Sequence, residues 1–384
     1  MEASIKVFAP GRVNLLGEHI DYNDGIVLPV AIDRYLTITA APASSPIIHL
    51  KALDLNKEIS IPIEHLDHKL DCANNPLPRF ALYPAGIAWA LQQSGYPLCG
   101  LSASYTSNIP IGAGLSSSAA VQVGFALAFQ ALCGLEIDKL TLAKLIQTSE
   151  NKYIGVQSGL MDQLAILFGE AGKAVEIDIR SLACKAIDLP AGVAIVVADS
   201  RVRRSLADSA YNQRRGECEE ALSILKNYLP GISALRDVNI NQFQHYAHFL
   251  PGKIAKRARH VIEEIARVRK GIRLLDLNDI EGFGKLMGDC HTSLRDLYEV
   301  SCVELDRLVE IASSFPGCYG ARLTGAGFGG CTVNLVNEAL AHEFCDYLGE
   351  KYYAQTGKQA SLYLCHASQS AYIDKQAQCL PQVN

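Results

Sequence analysis

A run of glycine and serine at residues 108–120 constrains this chain more than any other part of its sequence. It reads Asn-Ile-Pro-Ile-Gly-Ala-Gly-Leu-Ser-Ser-Ser-Ala-Ala, between a predicted strand at 101–107 and a predicted apolar helix at 119–132. A glycine-rich turn can bend closely around a ligand, and a helix N-terminus offers unpaired N–H groups and a positive dipole end. The run therefore predicts an anion site, most simply for phosphate. An ordinary strand–turn–helix junction with a serine N-cap has the same pattern.

The hydrophobic pattern of the whole chain predicts an α+β fold, because strand-like and helix-like stretches occur in both halves. Strand-like runs dominate the first half, including a predicted hairpin at 47–53 and 58–63. Long helical patterns follow from about residue 200. We predict two domains, 1–185 and 186–384. The polar tail after Ala371 is expected to fray.

The composition narrows the classes of function. A net charge of −5 over 384 residues argues against a general nucleic-acid binder. No basic and apolar leader and no run of membrane-span length is recognisable in the sequence. The 12 cysteines are scattered without a CxxC pair, so we expect reduced thiols and a cytoplasmic protein.

A second segment, residues 10–25, concentrates polar groups among apolar ones: Arg12, Asn14, Glu18, His19 and Asp21. Carboxylates and imidazoles bind sugar hydroxyls through directed hydrogen bonds, so a sugar-binding loop is one interpretation. A solvated loop is the plain alternative. A zinc site is a weaker one, because such sites usually need more histidine or cysteine than this segment offers.

Two further segments carry chemistry. Asp162 is a single acid in an apolar stretch. A partly buried aspartate either pairs with a positive group or has a raised pKa. Paired with an arginine it stays ionised and can receive a hydroxyl proton; otherwise it is an ordinary carboxylate at a helix start. Residues 322–331 contain four glycines between two predicted strands. They predict either a bent hairpin or a loop that approaches a ligand.

The glycine-rich run lacks the lysine of a P-loop, and the sequence contains no G-x-x-x-x-G-K-[ST] motif. Charge on a bound phosphate must then be neutralised by backbone dipoles, by Mg²⁺ and by a basic residue from elsewhere. A serine at the end of the run can give Mg²⁺ a hydroxyl ligand. Glu150, near the end of a predicted helix at 138–153, is the candidate carboxylate.

In their order and separations, these segments resemble the GHMP small-molecule kinases, and particularly the branch that phosphorylates galactose. Residues 12–22 resemble the sugar signature of that branch, with Ile20 where threonine is usual. Residues 110–119 resemble the phosphate-binding motif, and 325–331 the third motif, with Ala326 where glycine is common. The resemblance covers about residues 5–367, including 161–163 and 211–215.

The resemblance implies a two-domain fold of mixed sheets and helices with its active site in the cleft between domains. It implies ATP-dependent phosphorylation of the anomeric hydroxyl of galactose, with Asp162 and Arg12 catalytic and Mg²⁺ held by Ser118 and Glu150. The implied sugar contacts, besides Asp162, are Glu18, His19, Ile20, Asp21, Gly159 and Tyr211. The implied ATP-binding residues are Gly112, Ala113, Gly114, Leu115, Ser116, Ser117 and Ser118. The expected partners are a sugar and ATP, not nucleic acid or a membrane, with the chain a monomer or weak homodimer.

Two alternatives stay open. The first is a kinase for another sugar, such as N-acetylgalactosamine or arabinose, which the departure at Ile20 can signal. The second is a sensor of sugar and ATP that does not turn over, since some relatives act in this way. A sensor is expected to carry damage in its phosphate loop or at its base, whereas residues 116–119 and Asp162 are intact here.

Overall fold

A computed structural model of the chain describes residues 4–110, 112–203 and 207–374. The strands in these ranges are β1 (Ile5–Asn14), β2 (Ile26–Val27), β3 (Pro29–Ala43), β4 (Ile47–Ala52), β5 (Lys57–Pro62), β6 (Gly100–Ser107), β7 (Lys173–Asp178), β8 (Ala183–Asp188), β9 (Val193–Asp199), β10 (Cys318–Thr324), β11 (Cys331–Asn337), β12 (Ser361–Cys365) and β13 (Tyr372–Asp374). The helices are α1 (Arg79–Gln93), α2 (Ser117–Leu132), α3 (Lys139–Thr148), α4 (Met161–Phe168), α5 (Ala207–Lys226), α6 (Ile240–Tyr246), α7 (Gly252–Asp276), α8 (Ile280–Ser293), α9 (Val303–Ser313) and α10 (Ala341–Thr356).

The strands form three sheets, with helices packed against them. The largest sheet has the order β13-β1-β3-β6-β4-β5, in which only the β4–β6 pair is parallel. The others have the orders β2-β7-β8 and β10-β11-β9-β12. Strand β3 shows why the sheet has one buried face: Leu36, Ile38 and Ala40 are buried, and Thr39 between them is exposed. This architecture confirms the predicted α+β fold.

Helix α2, which follows the glycine–serine run, is held very close to the largest sheet. A Cβ atom on Gly124 would lie 2.8 Å from Ile38 Cδ1, so the absence of a side chain at 124 allows this close approach without moving Ile38. The helix also buries Val123, Phe125 and Phe129. Because α2 packs on the sheet, Ser116 at its N-terminus has a defined position.

Most of the predicted elements are present. The hairpin of β4 and β5 is antiparallel as expected. The predicted N-cap of α3 is confirmed, since the Asp138 carboxylate accepts hydrogen bonds from Leu140 N and Thr141 N, both at 3.0 Å. The helix predicted at 138–153 stops earlier, at Thr148, and continues as a π-helical turn, Ser149–Ile154, that carries Glu150.

Two local predictions were wrong. Residues 10–14 belong to β1 rather than to the loop suggested for residues 10–25, because a register shift between Pro10 and Gly11 lets the strand continue past the proline. The tail does not fray immediately after Ala371, since β13 pairs with β1 and the Tyr372 ring stacks on Phe8 at 5.0 Å. Residues 375–384 of the tail lie outside the described residues.

The division into domains at 185/186 stays a prediction. That boundary falls inside β8, whereas the change from one sheet to the next comes between β8 and β9. Strand β13 then returns to the largest sheet, beside β1. A boundary in the 189–192 connection therefore follows the sheets better. Of the helices described, none combines the length and apolar character needed to cross a bilayer.

Two glycines of α8 provide a test of how tightly this helix packs on β10. A Cβ on Gly284 would lie 1.8 Å from Tyr319 O, whereas one on Gly288 meets no described atom within 4 Å. We expect Gly284→Ala to destabilise the protein by about 1–3 kcal/mol through overpacking. Gly288→Ala should stabilise it by about 0.5–1 kcal/mol, because alanine is the better helix residue. Urea unfolding midpoints measure both; equal midpoints for the two variants would contradict this packing.

Candidate active site

Two neighbouring cavities meet at one shared wall. The smaller, of about 320 Å³, and the larger, of about 660 Å³, are both lined by Arg12, Asp162, Gly325 and Ala326. The smaller cavity is otherwise lined mainly by residues of the segment 10–25, called here the sugar-type segment, by the 155–163 region and by Tyr211. The larger is lined by the glycine–serine loop and the aromatic residues Phe80, Tyr83 and Tyr105.

The shared wall contains a buried ion pair between β1 and α4. Arg12 Nε donates to Asp162 Oδ1 at 2.6 Å, and the arginine side chain is 6% exposed against 29% for the aspartate. Arg12 Nη1 also donates to Gly114 O at 2.6 Å. The guanidinium therefore connects the carboxylate to the glycine–serine loop, and the carboxylate keeps access to both cavities.

Ser116 holds the other oxygen of the same carboxylate. Its hydroxyl donates to Asp162 Oδ2, and its backbone has φ 58°, a left-handed conformation that is unusual for serine. Ser116 occupies the N-cap position of α2, but its side chain makes no capping bond. The serine N-cap considered from the sequence is therefore wrong, because the hydroxyl turns to Asp162 instead.

The glycine–serine loop presents its backbone to the larger cavity. Gly112 and Gly114 have φ of 70° and 77°, which leaves the loop bent around the cavity. All its predicted ATP-binding residues line the cavity except Ala113, which is fully buried. Gly325 of the second glycine turn packs on Gly114, since a Cβ there would lie 3.4 Å from Gly114 Cα.

A basic residue beside this loop was missed from the sequence. Arg203 lies next to Gly112, since a Cβ on that glycine would be 3.1 Å from Arg203 Nε. The guanidinium pairs with Asp199 at the end of β9, with Nη2 and Oδ2 2.7 Å apart. Phe80 and Tyr83 were missed as well, because their helical spacing in α1 is also that of ordinary core residues.

Asp21 and Gly159 lie in direct contact in the wall of the smaller cavity. A Cβ on Gly159 would lie 2.2 Å from Asp21 Oδ2, so any larger residue at 159 would displace the Asp21 carboxylate. Burial, and next the nearby charge of Asp162, raise the pKa of Asp21 to about 6. The cavity therefore contains a carboxylate that is ionised at neutral pH at a cost to folding.

The His19 ring is neutral and held on both sides. Its Nδ1 is 2.8 Å from Tyr22 Oη, and its Nε2 is 3.1 Å from the Ala326 carbonyl oxygen. Because a carbonyl can only accept, Nε2 carries the proton and Nδ1 accepts from the tyrosine. Burial lowers the pKa of His19 to about 3. The imidazole is thus an uncharged part of the cavity wall.

Glu18 is buried and fully engaged by the second glycine turn and its strand. It pairs with Arg322 of β10, and accepts from Gly325 N at 3.0 Å and Asn14 Nδ2 at 3.2 Å. Its carboxylate lines the smaller cavity from this fixed position. The sequence did not indicate Arg322 as its partner, which lies 304 residues away.

Helix α7 holds the same segment from behind. Gly17 N donates to Glu264 Oε1 at 2.7 Å, and His260 Nε2 donates to the Glu18 carbonyl oxygen at 3.2 Å. Gly17 has φ 97°, which few other residues adopt. The backbone before His19 is therefore positioned by buried groups from the second half of the chain.

Tyr211 and Ile20 differ in placement. Tyr211 lines the smaller cavity, and its ring centroid is 5.5 Å from that of His19. Ile20 is fully buried, and its side chain packs against Gly25, whose Cβ would lie 2.7 Å from Ile20 Cγ1. The structure does not place Ile20 among the lining residues, so the implied side-chain contact of Ile20 with a sugar lacks geometric support.

Glu150 sits among neutral donors. Ser158 Oγ and Gln163 Nε2 donate to Oε2, the latter at 2.9 Å, and Gln122 Nε2 lies 3.4 Å from Oε1. Burial raises the pKa of Glu150. In the described part of the chain, Gln122 Oε1 and Gln163 Oε1 have no hydrogen-bond partner.

The Glu150 carboxylate and the unpaired amide oxygens of Gln122 and Gln163 are oxygen donors, which fit a hard cation such as Mg²⁺. In proteins Mg²⁺ uses few carboxylates and takes its other ligands from phosphates and water. Glu150 lines the smaller cavity and Ser118 the larger, with Asp162 lining both. Clusters of three or more metal-type ligands are not found among the described residues. The predicted pair Ser118 and Glu150 is thus compatible with a metal held mainly by a nucleotide.

Comparison with known proteins identifies the family. Models of the GHMP kinases N terminal domain, the galactokinase galactose-binding signature and the GHMP kinases C terminal region match residues 83–170, 2–42 and 268–354. A galactokinase of Roseiflexus sp. (strain RS-1) is 47% identical over 362 residues, covering 94% of this chain and 91% of the relative. The chain belongs to the galactokinase family.

Two further galactokinases and a mevalonate kinase structure are similar to this chain. The galactokinase of Chloroflexus aggregans is 42% identical over 94% of this chain and 90% of its own length. The crystal structure of Lactococcus lactis galactokinase complexed with galactose superposes with a TM-score of 0.91 at 32% identity, over 96% and 95% of the two chains. A mevalonate kinase structure, at 23% identity and a TM-score of 0.65, shares the fold.

The raised pKa of Asp21 predicts a pH-dependent gain from Asp21→Asn. An aspartate whose folded pKa is raised from 3.8 to about 6 costs stability once it ionises, so the cost is full above pH 6 and vanishes below pH 4. We expect the variant to be more stable by about 1–3 kcal/mol at pH 8. Denaturant unfolding at pH 8 and pH 4 measures the difference. A gain of the same size at both pH values would contradict the assignment.

Proposed function

We propose that this galactokinase family member transfers the γ-phosphoryl group of ATP to the anomeric hydroxyl of D-galactose, giving α-D-galactose 1-phosphate and ADP. The observation that carries the proposal is the Arg12–Asp162 pair in the wall shared by the two cavities. A transfer between two substrates needs its catalytic groups where the substrates meet, and this pair faces both cavities.

The two cavities suit different substrates. The larger combines Phe80, Tyr83 and Tyr105 with the glycine–serine loop, a setting for a flat base followed by phosphates. The smaller is lined by the Asp21 and Asp162 carboxylates, which can accept hydrogen bonds from hydroxyl groups, in a wall that also contains the fixed side chains of Glu18 and His19. We therefore assign ATP to the larger cavity and the sugar to the smaller.

In the proposed reaction, Asp162 accepts the proton of the sugar hydroxyl as its oxygen attacks the γ-phosphorus. The bond from that phosphorus to the bridging oxygen of ADP breaks as the new bond forms. Arg12 holds the Asp162 carboxylate in place through the ion pair and offers positive charge to the transferred oxygens. Ser116 fixes the second carboxylate oxygen, and each oxygen retains a lone pair for the hydroxyl.

We assign Mg²⁺ to Ser118 and Glu150. The ion supplies charge neutralisation to the phosphates when it is bound. Glu150 lacks a cationic side chain among its described hydrogen-bond partners, so a divalent cation would relieve the burial of its charge. Gln122 and Gln163 orient this carboxylate through their amide groups.

Galactose is proposed from family membership together with the intact sugar segment. A different sugar was the alternative raised by Ile20, and the buried position of that side chain removes its geometric basis. The intact Arg12–Asp162–Ser116 arrangement favours an enzyme over a sensor that does not turn over. We also propose that the protein acts in the cytoplasm, because its described cysteines are free thiols. Its assembly as a monomer or weak homodimer stays a prediction.

ADP release in the presence of Mg²⁺-ATP and a panel of sugars tests the proposal. We expect release with D-galactose well above that with glucose, arabinose or N-acetylgalactosamine. Preference for another sugar would reassign the substrate. Absence of release with every sugar, together with intact sugar binding, would indicate a sensor.

Substitutions in the shared wall test the mechanism. Asp162→Ala and Arg12→Ala should lower kcat by about 10²–10⁴-fold, because each removes a group that acts on the reacting atoms. Asp162→Asn separates proton acceptance from orientation, since it keeps the shape without the charge. The exposed Asp188→Asn is the matched control and should retain activity. Near-normal turnover in a folded Asp162→Ala protein would overturn the assignment.

Glu150→Gln tests the metal assignment. We expect the Mg²⁺ concentration for half-maximal activity to rise by about tenfold or more, since a carboxylate ligand is lost. A magnesium titration at fixed ATP measures the shift. Glu338→Gln on the surface is the control. An unchanged magnesium requirement in the Glu150 variant would place the ion elsewhere.

A further inference from the structure

Two cysteines outside the active site lie in direct contact. Cys99 Sγ and Cys133 Sγ are 2.7 Å apart, and Cys99 N donates to Cys133 Sγ at 3.1 Å. A disulfide bond is about 2.05 Å long, so the two sulfurs need to move by less than about 1 Å to bond. Neither group is used by the proposed phosphoryl transfer.

The pair is accessible and joins two important elements. Both residues are partly exposed, so a small oxidant can reach them. Cys99 directly precedes β6, and Cys133 is the C-cap of α2. Cys133 lies 34 positions after Cys99, and the segment between them includes β6, the glycine–serine loop and α2.

We propose that Cys99 and Cys133 form a reversible disulfide when the protein meets hydrogen peroxide. The Cys99 thiolate attacks one peroxide oxygen, which breaks the O–O bond, releases water after protonation, and leaves a sulfenic acid. Cys133 sulfur then attacks Cys99 sulfur, and the hydroxyl group leaves as water with the Cys133 proton. Two thiols lose two electrons and two protons, and one peroxide becomes two water molecules.

The surroundings of the two cysteines indicate which of them reacts first with peroxide. Burial, followed by the contact with Cys99, raises the pKa of Cys133 to about 12, so Cys133 is rarely a thiolate. Cys133 is also the C-cap of α2, where the negative end of the helix dipole disfavours a thiolate, so we assign the first attack to Cys99 and the resolving step to Cys133. A dithiol reductant returns both to thiols by exchange.

The disulfide stabilises the fold without changing the active site. It closes a loop and so reduces the entropy of the unfolded chain. It lies at the far end of α2 from Ser116, and a helix of 16 residues spans about 24 Å. We therefore expect a higher Tm in the oxidised protein and an unchanged kcat.

Non-reducing peptide mapping of the full chain after peroxide treatment tests the proposal. We expect a Cys99–Cys133 linked peptide in the wild type and in Cys72→Ser, an exposed-cysteine control, and not in Cys99→Ser or Cys133→Ser. The oxidised wild type should show a Tm several degrees higher that falls back with dithiothreitol. Cys133→Ser should trap the Cys99 sulfenic acid as a dimedone adduct.

Two results would overturn the proposal. One is a wild-type peptide map in which both cysteines remain reduced, or are linked elsewhere, while Cys72 is oxidised. The other is a peroxide-dependent rise in Tm that persists in Cys99→Ser. The wild-type map needs no variant, so a poorly folding substitution does not obscure the outcome.

Discussion

The ion pair between Arg12 and Asp162 is the contact on which the rest of the site depends. Its partners are 150 residues apart, and the arginine is almost completely buried. A buried guanidinium is tolerated only if its hydrogen bonds are satisfied, and here they go to Asp162 and to the Gly114 carbonyl. One side chain thereby brings β1, the glycine–serine loop and α4 to a common point.

Buried polar contacts of the same kind connect the second half of the chain to the sugar-type segment. Arg322 satisfies Glu18, and Glu264 satisfies the Gly17 amide, each across a buried contact. Removing one partner would leave an uncompensated polar group in the interior, which is costly. Backbone contact between Gly114 and Gly325 then lets the two glycine turns form one continuous wall.

Much of the fold and the site could be predicted from local pattern. Periodicity located the β4–β5 hairpin and the long helices, and residue chemistry singled out Arg12, Asp21, Asp162 and Glu150. The failures were local patterns overridden by distant partners. Ser116 gives up capping because Asp162 lies beside it, and Tyr372 joins a strand because Phe8 and the β1 edge are available. The sugar contact implied for Ile20 stays a prediction, and its side chain is buried in the core.

The sequence by itself determined which residues have the right chemistry and which loops can bend around a ligand, because glycine, charge and hydrophobic spacing act locally. Only the tertiary structure decided how the carboxylates divide their roles. Asp162 receives an arginine and faces two cavities, Glu18 receives Arg322 and is fixed, and Glu150 receives neutral donors with its pKa raised. The physical reason is that a carboxylate's charge, reach and partners depend on groups brought together from distant parts of the chain.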